Sequence, residues 1–116
     1  MTPAGWPHGL VPPGHEDFIS ETVKWLLDIG PADLRSSALR QYPLALALYL
    51  ESYVTGALEG SRVGYSQTRT NLDGVLQAFD LEIVQQALAA EGARLVALQR
   101  EIMLVVEGLR STAPHA

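Results

Sequence analysis

The stretch LEIVQQALAAEGARLVALQREIMLVVEGLR, residues 81–110, decides the fold. Within it Val84, Leu88, Glu91, Leu95, Leu98, Ile102, Val105 and Leu109 recur at alternating spacings of four and three. That rhythm marks one face of an α-helix, and held over several heptads it marks a seam packed lengthwise on another helix. Asp80 precedes the stretch as a candidate N-cap, and the helix is expected to run to about Arg110, with 111–116 as a flexible tail.

Working backwards, Asn71-Leu72-Asp73-Gly74 is a turn signal, and Val75, Leu76 and Phe79 fall out of phase with the stripe, so they are read as a loop cap or a separate helical turn. Upstream lies a second long helix, expected over 43–70. Pro43 suits its first position, and Tyr42, which precedes a proline, ends whatever comes before. Its opening turns, Leu44, Leu46, Leu48, Tyr49 and Leu50, are apolar on every side. Later one face carries Glu51, Thr55, Glu59, Arg62, Ser66 and Arg69, while the opposite face reads Leu46, Leu50, Tyr53, Ala57, Gly60 and Gly64.

Two long helices joined by a short connection lie antiparallel. Folding about the turn near Val75 sets Leu48 against Ile102 and Gly60 against roughly Ala90. Gly56, Gly60 and Gly64 sit one turn apart, and each interior glycine costs a helix roughly 1 kcal/mol relative to alanine. Close packing, with Val84 and Leu88 seated over the glycines, would account for them; a bend near Gly60 is the alternative. Tyr53 and Tyr65 join these residues as candidates for an interface. Glu91 interrupts the apolar seam and calls for a buried ion pair with Arg62 or Arg94.

The amino-terminal side supplies the cover. A helix over 16–29 has a broad apolar side of Phe18, Ile19, Thr22, Val23, Trp25, Leu26, Leu27 and Ile29, with Lys24 placed to pair with Glu21 or Asp28. Gly30-Pro31 stops it. A short helix over 32–41 follows, with Asp33 as a possible N-cap. The expected fold is all-α: an antiparallel hairpin of long helices within a three- to four-helix bundle, residues 15–110 forming one domain. Residues 1–14 hold four of the seven prolines and three of the ten glycines and read as a flexible arm, in which Trp6 either is disordered or docks on the helical body or a second subunit.

Composition narrows the function classes. The 116 residues include no cysteine and carry a net charge of −5. That excludes thiolate metal sites and disulfides, fits a cytoplasmic location, and argues against a broad nucleic-acid footprint. The opening residues show no signal-peptide pattern. Tyr42 to Leu58 is the nearest approach to a membrane span, but it is short and contains Glu51. His8, His15 and His115 fall outside the long helices, which disfavours a bundle metal site. His15-Glu16-Asp17 is a weak metal corner, and Arg35 and Arg40 on the short helix are a weak helix-turn-helix match. No nucleophile–base pair, phosphate loop or cofactor motif stands out, so no catalytic residue, metal or cofactor is assigned.

What remains is a non-enzymatic helical protein–protein interaction module, an adaptor, regulator or assembly subunit, that self-associates through its long helices, most simply as a homodimer. A two-helix end cannot bury all faces of its own helices. A regulator binding a small ligand or nucleic acid is one alternative. An enzyme whose site forms across an oligomer interface is another.

Overall fold

A computed structural model describes residues 2–112, and the regular elements among them are all helical. They are α1 (Phe18–Ile29), two 3₁₀ turns (Ala32–Ser36 and Ala38–Gln41), α2 (Pro43–Leu72) and α3 (Ala78–Thr112). The chain divides into two compact units: residues up to Tyr53 together with those from Gln99 on, and Val54–Leu98.

The helix boundaries follow local chemistry. α1 starts two residues later than expected because His15 and Asp17 build a turn ahead of it. Asp17 N–H donates to His15 Nδ1 at 3.1 Å, and Phe18 N–H donates to the His15 carbonyl at 3.1 Å. It ends at Gly30, whose extended backbone is what a following proline favours. The short helix expected over 32–41 is instead two 3₁₀ turns. They part at Ser37, whose hydroxyl accepts from Leu39 N–H at 3.1 Å and so replaces a helical backbone bond. α2 is uninterrupted through Gly56, Gly60 and Gly64, so the bend does not occur. α3 begins at Ala78, with Leu81 N–H bonded to the Gln77 carbonyl at 2.9 Å. Asp80 therefore lies inside the first turn, where the helix dipole still favours it, and Phe79 is helical and exposed. Ser111 and Thr112 belong to α3 rather than to a tail. Residues 113–116, with His115, lie outside the described residues.

The first unit has a closed core. Phe18, Leu26 and Leu27 of α1, Leu34 of the first 3₁₀ turn, Leu46 and Leu50 of α2, and Ile102, Val105 and Leu109 of α3 are all buried. The opening turns of α2 are not covered all round, however. Leu48, expected against Ile102, is exposed, as are Tyr49 and, on α1, Ile19. Thr22 is fully buried and its hydroxyl has no hydrogen-bond partner. Replacing that hydroxyl with a methyl removes an unsatisfied polar group at constant shape. Thr22→Val is expected to stabilise the protein by about 1 kcal/mol in urea denaturation; a loss of stability would contradict the packing described.

The amino-terminal arm is part of this unit. It consists of three successive turns of one sequence form, Pro3-Ala4-Gly5-Trp6, Pro7-His8-Gly9-Leu10 and Pro12-Pro13-Gly14-His15. In each the fourth residue's N–H bonds to the first proline's carbonyl, at 3.1, 3.3 and 3.2 Å. The glycines have φ of +80°, +82° and +95°, as the third position of a type II turn requires. Trp6 Nε1 donates to the Leu10 carbonyl at 2.9 Å, and its ring lies 6.0 Å from that of Phe18. The arm packs on α3 at Gly108, where a Cβ would come within 2.9 Å of Pro13, 3.2 Å of Phe18 and 3.3 Å of Trp6. Residues read from sequence as a flexible arm thus form a strap with its own hydrogen bonds and a buried Leu10.

The second unit is a helical hairpin made from the closing turns of α2 and the opening turns of α3. Its core is sparse: Val54, Leu58, Thr68, Leu81 and Leu95 are buried. The stripe on α3 is where the periodicity puts it, but Val84, Leu88 and Glu91 are only half-buried. The inward positions of α2 include Ser61, Gly64 and Thr68, which are too small to cover them. The Thr68 hydroxyl is satisfied within its own helix, donating to the Gly64 carbonyl at 2.6 Å.

Candidate functional site

On the hairpin, α2 and α3 leave a cleft of about 380 Å³ lined by Leu58, Ser61, Arg62 and Tyr65 from α2 and by Leu88, Ala89, Gly92 and Val96 from α3. Leu58 is buried, Leu88 and Val96 are half-buried, and Tyr65 stands exposed at the edge. The walls are aliphatic because these residues flank the two seams. The cleft stays open because Gly92 contributes no side chain, and a Cβ there would meet nothing within 4 Å. Past Tyr65 and Ala89 the groove turns polar, with Arg69, Glu82, Gln85 and Gln86.

Charge at the apolar cleft is confined to one edge. Arg62 approaches Glu59, one turn away, only to 3.9 Å, and both side chains are mostly exposed. Such a pair adds little to stability and is free to exchange partners.

The residues singled out from sequence separate into groups. Arg62, Tyr65 and Leu88 share the cleft. Val84 is half-buried in the seam, outside the cleft lining. Gly56, Gly60 and Gly64 do not mediate close packing within the chain: a Cβ at any of them would find nothing within 4 Å. The inward face of α2 is set by Val54 and Leu58 instead, which turns Gly56 and Gly60 to the outside. Tyr53, in the first unit, is exposed, its ring 6.4 Å from that of Tyr49. Trp6 is the anchor of the strap. Leu58, Ser61, Ala89, Gly92 and Val96 were not singled out from sequence. The available signal was that Gly92 and Val96 each follow a stripe position, Glu91 and Leu95, by one residue.

Glu91 pairs with Arg94, as one of the two options allowed, but the pair is at the surface rather than buried, and Arg62 takes no part. Arg94 donates to both carboxylate oxygens, its Nε at 3.0 Å. These hydrogen bonds, aided by the guanidinium charge, hold the Glu91 carboxyl below its ordinary value and raise Arg94. A depressed carboxyl contributes stability above its unfolded pKa and loses it as pH falls through the folded one. In Arg94→Ala the Glu91 carboxyl, followed by carbon-13 NMR, is expected to titrate at higher pH than in the wild type, because its hydrogen-bond donor is gone. An unchanged midpoint would show that Arg94 is not the cause.

Among the described residues no three histidine or acidic side chains converge on a possible metal position, so His15, Glu16 and Asp17 do not make a metal corner. Arg35 and Arg40, the weak helix-turn-helix candidates, sit on 3₁₀ turns. Arg35 pairs with Asp28 at 2.7 Å, and Arg40 donates to the Arg35 carbonyl at 2.7 Å. Lys24 pairs with Glu21 at 3.2 Å. No helix among the described residues is long and apolar enough to cross a membrane. Compared with known proteins, the chain matches no family model, and no curated protein or solved structure is significantly similar to it.

Proposed function

We propose that this protein is a non-enzymatic helical interaction module, acting as an adaptor, regulator or assembly subunit, that self-associates through its long helices. The observation that carries the reading is the incomplete burial of the hairpin. Val84 and Leu88 are half-buried, Val63, Tyr65 and Ile83 are exposed, and an apolar cleft lies open between the helices. A hairpin alone cannot cover both sides of its seam, whereas bundles of four helices do. In the first unit α1 supplies a third helix. In the second, the additional helices that would make a bundle come from another copy, and a homodimer is the simplest closed arrangement. Aromatic residues such as Tyr49, Tyr53 and Tyr65 on the exposed faces of α2 are of the type enriched at interaction hot spots.

Sedimentation equilibrium at micromolar concentration tests this. A concentration-dependent dimer is the expected result. A monomer throughout, with no protein partner recovered in pull-downs, would remove the reading. A second reading rests on the same cleft: its volume is in the range of small-ligand pockets, and its walls would take an apolar molecule. Native mass spectrometry of the purified protein separates the two, because a bound small molecule adds a discrete mass to the monomer.

A further inference from the structure

Along α2 the polar face reads Glu51, Thr55, Glu59, Arg62, Ser66, Arg69. The acids come first and the bases after, and the order reverses in sign about a point between Gly60 and Ser61. Turned end for end, the stripe complements itself about its centre: Glu59 meets Arg62 and Thr55 meets Ser66, while Arg69 falls one residue short of the position opposite Glu51. A parallel copy would set acid on acid and base on base.

We infer that the edge of the cleft is the dimer surface. A second copy of α2 would lie antiparallel across it, with the two-fold axis passing between Gly60 and Ser61. This rests on the self-association reading above and names its surface and orientation. Three observations support the occupant. The stripe runs beside Leu58 and Tyr65, the α2 wall of the apolar cleft, which is how flanking charges accompany a buried seam in paired helices. The charge pattern fits an identical copy in one orientation and rejects the other. The Arg62–Glu59 contact at 3.9 Å is loose, unlike the two-pronged Arg94–Glu91 pair, so Glu59 can turn to Arg62 of the partner subunit with little loss within its own helix. By symmetry each such contact occurs twice. The aliphatic floor of Leu58, Leu88 and Val96 is covered as the helices meet, with Gly92 leaving room for the incoming backbone.

The test uses the full chain and two charge reversals, Glu59→Arg and Arg62→Glu, with circular dichroism to confirm that each is folded. Each variant alone places like charges together twice, and its dimer dissociation constant is expected to rise by about tenfold or more. Mixed in equal amounts, the two variants regain opposite charges at both contacts, and a heterodimer of near wild-type affinity is expected in sedimentation velocity. The double variant E59R/R62E should dimerise like the wild type. If wild type dimerises and the single reversals do so equally well, the surface is wrong while self-association stands. If the reversals weaken the dimer but the mixture does not recover it, the antiparallel register is wrong. If wild type remains monomeric, both the surface and the self-association reading fall.

Discussion

Phe18→Ala is expected to lower the stability of the folded chain by about 3–5 kcal/mol, the range for removing a buried aromatic side chain. Phe18 opens α1 and is almost wholly buried. Its ring stands 6.0 Å from Trp6, and it is one of the groups crowding Gly108. The substitution therefore opens a cavity at the point where the strap, α1 and α3 meet, and it also removes the ring against which Trp6 rests. A domain of this size has a total stability of about 5–15 kcal/mol, so the variant should be only marginally folded at physiological temperature. Thermal denaturation by circular dichroism should show a midpoint lower by more than roughly 10 °C. In a Trp25→Phe background, Trp6 emission should shift to longer wavelength well before the helices melt. A stability loss under about 1 kcal/mol would mean that the strap and α1 do not share this core.

The second large effect separates glycines that look alike in the sequence. Gly108→Leu is expected to destabilise by about 3 kcal/mol, at the upper end for overpacking. Even a Cβ there would approach Pro13 to 2.9 Å, and the neighbouring Phe18 and Trp6 rings are rigid. The strap must lift or α3 must shift. Gly60→Ala is expected to act in the opposite direction, stabilising by about 0.5–1 kcal/mol, because its Cβ enters open space and alanine is the better helix former. Both are read from chemical denaturation at low protein concentration. Equal effects at the two sites would contradict the placement of either the strap or the outer face of α2.

These glycines show where sequence reading stops. A glycine inside a helix announces its conformational cost, not its neighbours. The spacing of Gly56, Gly60 and Gly64 suggested close helix packing, yet Val54 and Leu58 command the inward face and leave Gly56 and Gly60 outside. Gly108, a lone glycine in an apolar run, is the glycine inside a helix where packing leaves no room. The strap was hidden for a different reason. Its hydrogen bonds are those of turns, so no helical or strand period reveals them; the recurring Pro-x-Gly at 3–5, 7–9 and 12–14 was the available sign. At the cleft, Arg62, Tyr65 and Leu88 were legible as polar, aromatic and seam residues, whereas Gly92 and Val96 become lining only because the facing positions of α2 fail to fill the space.

Local chemistry by itself determined that this chain is helical, that α1 stops at Gly30-Pro31, that α2 opens at Pro43, and which face of α3 turns inward. Those properties depend on backbone geometry and on the period of apolar side chains over a few turns. Only the tertiary structure decided how deeply each of those side chains is covered, which glycine faces a neighbour, and where the Pro-rich arm rests. Burial is a property of two surfaces together, and the second surface comes from residues distant in the chain.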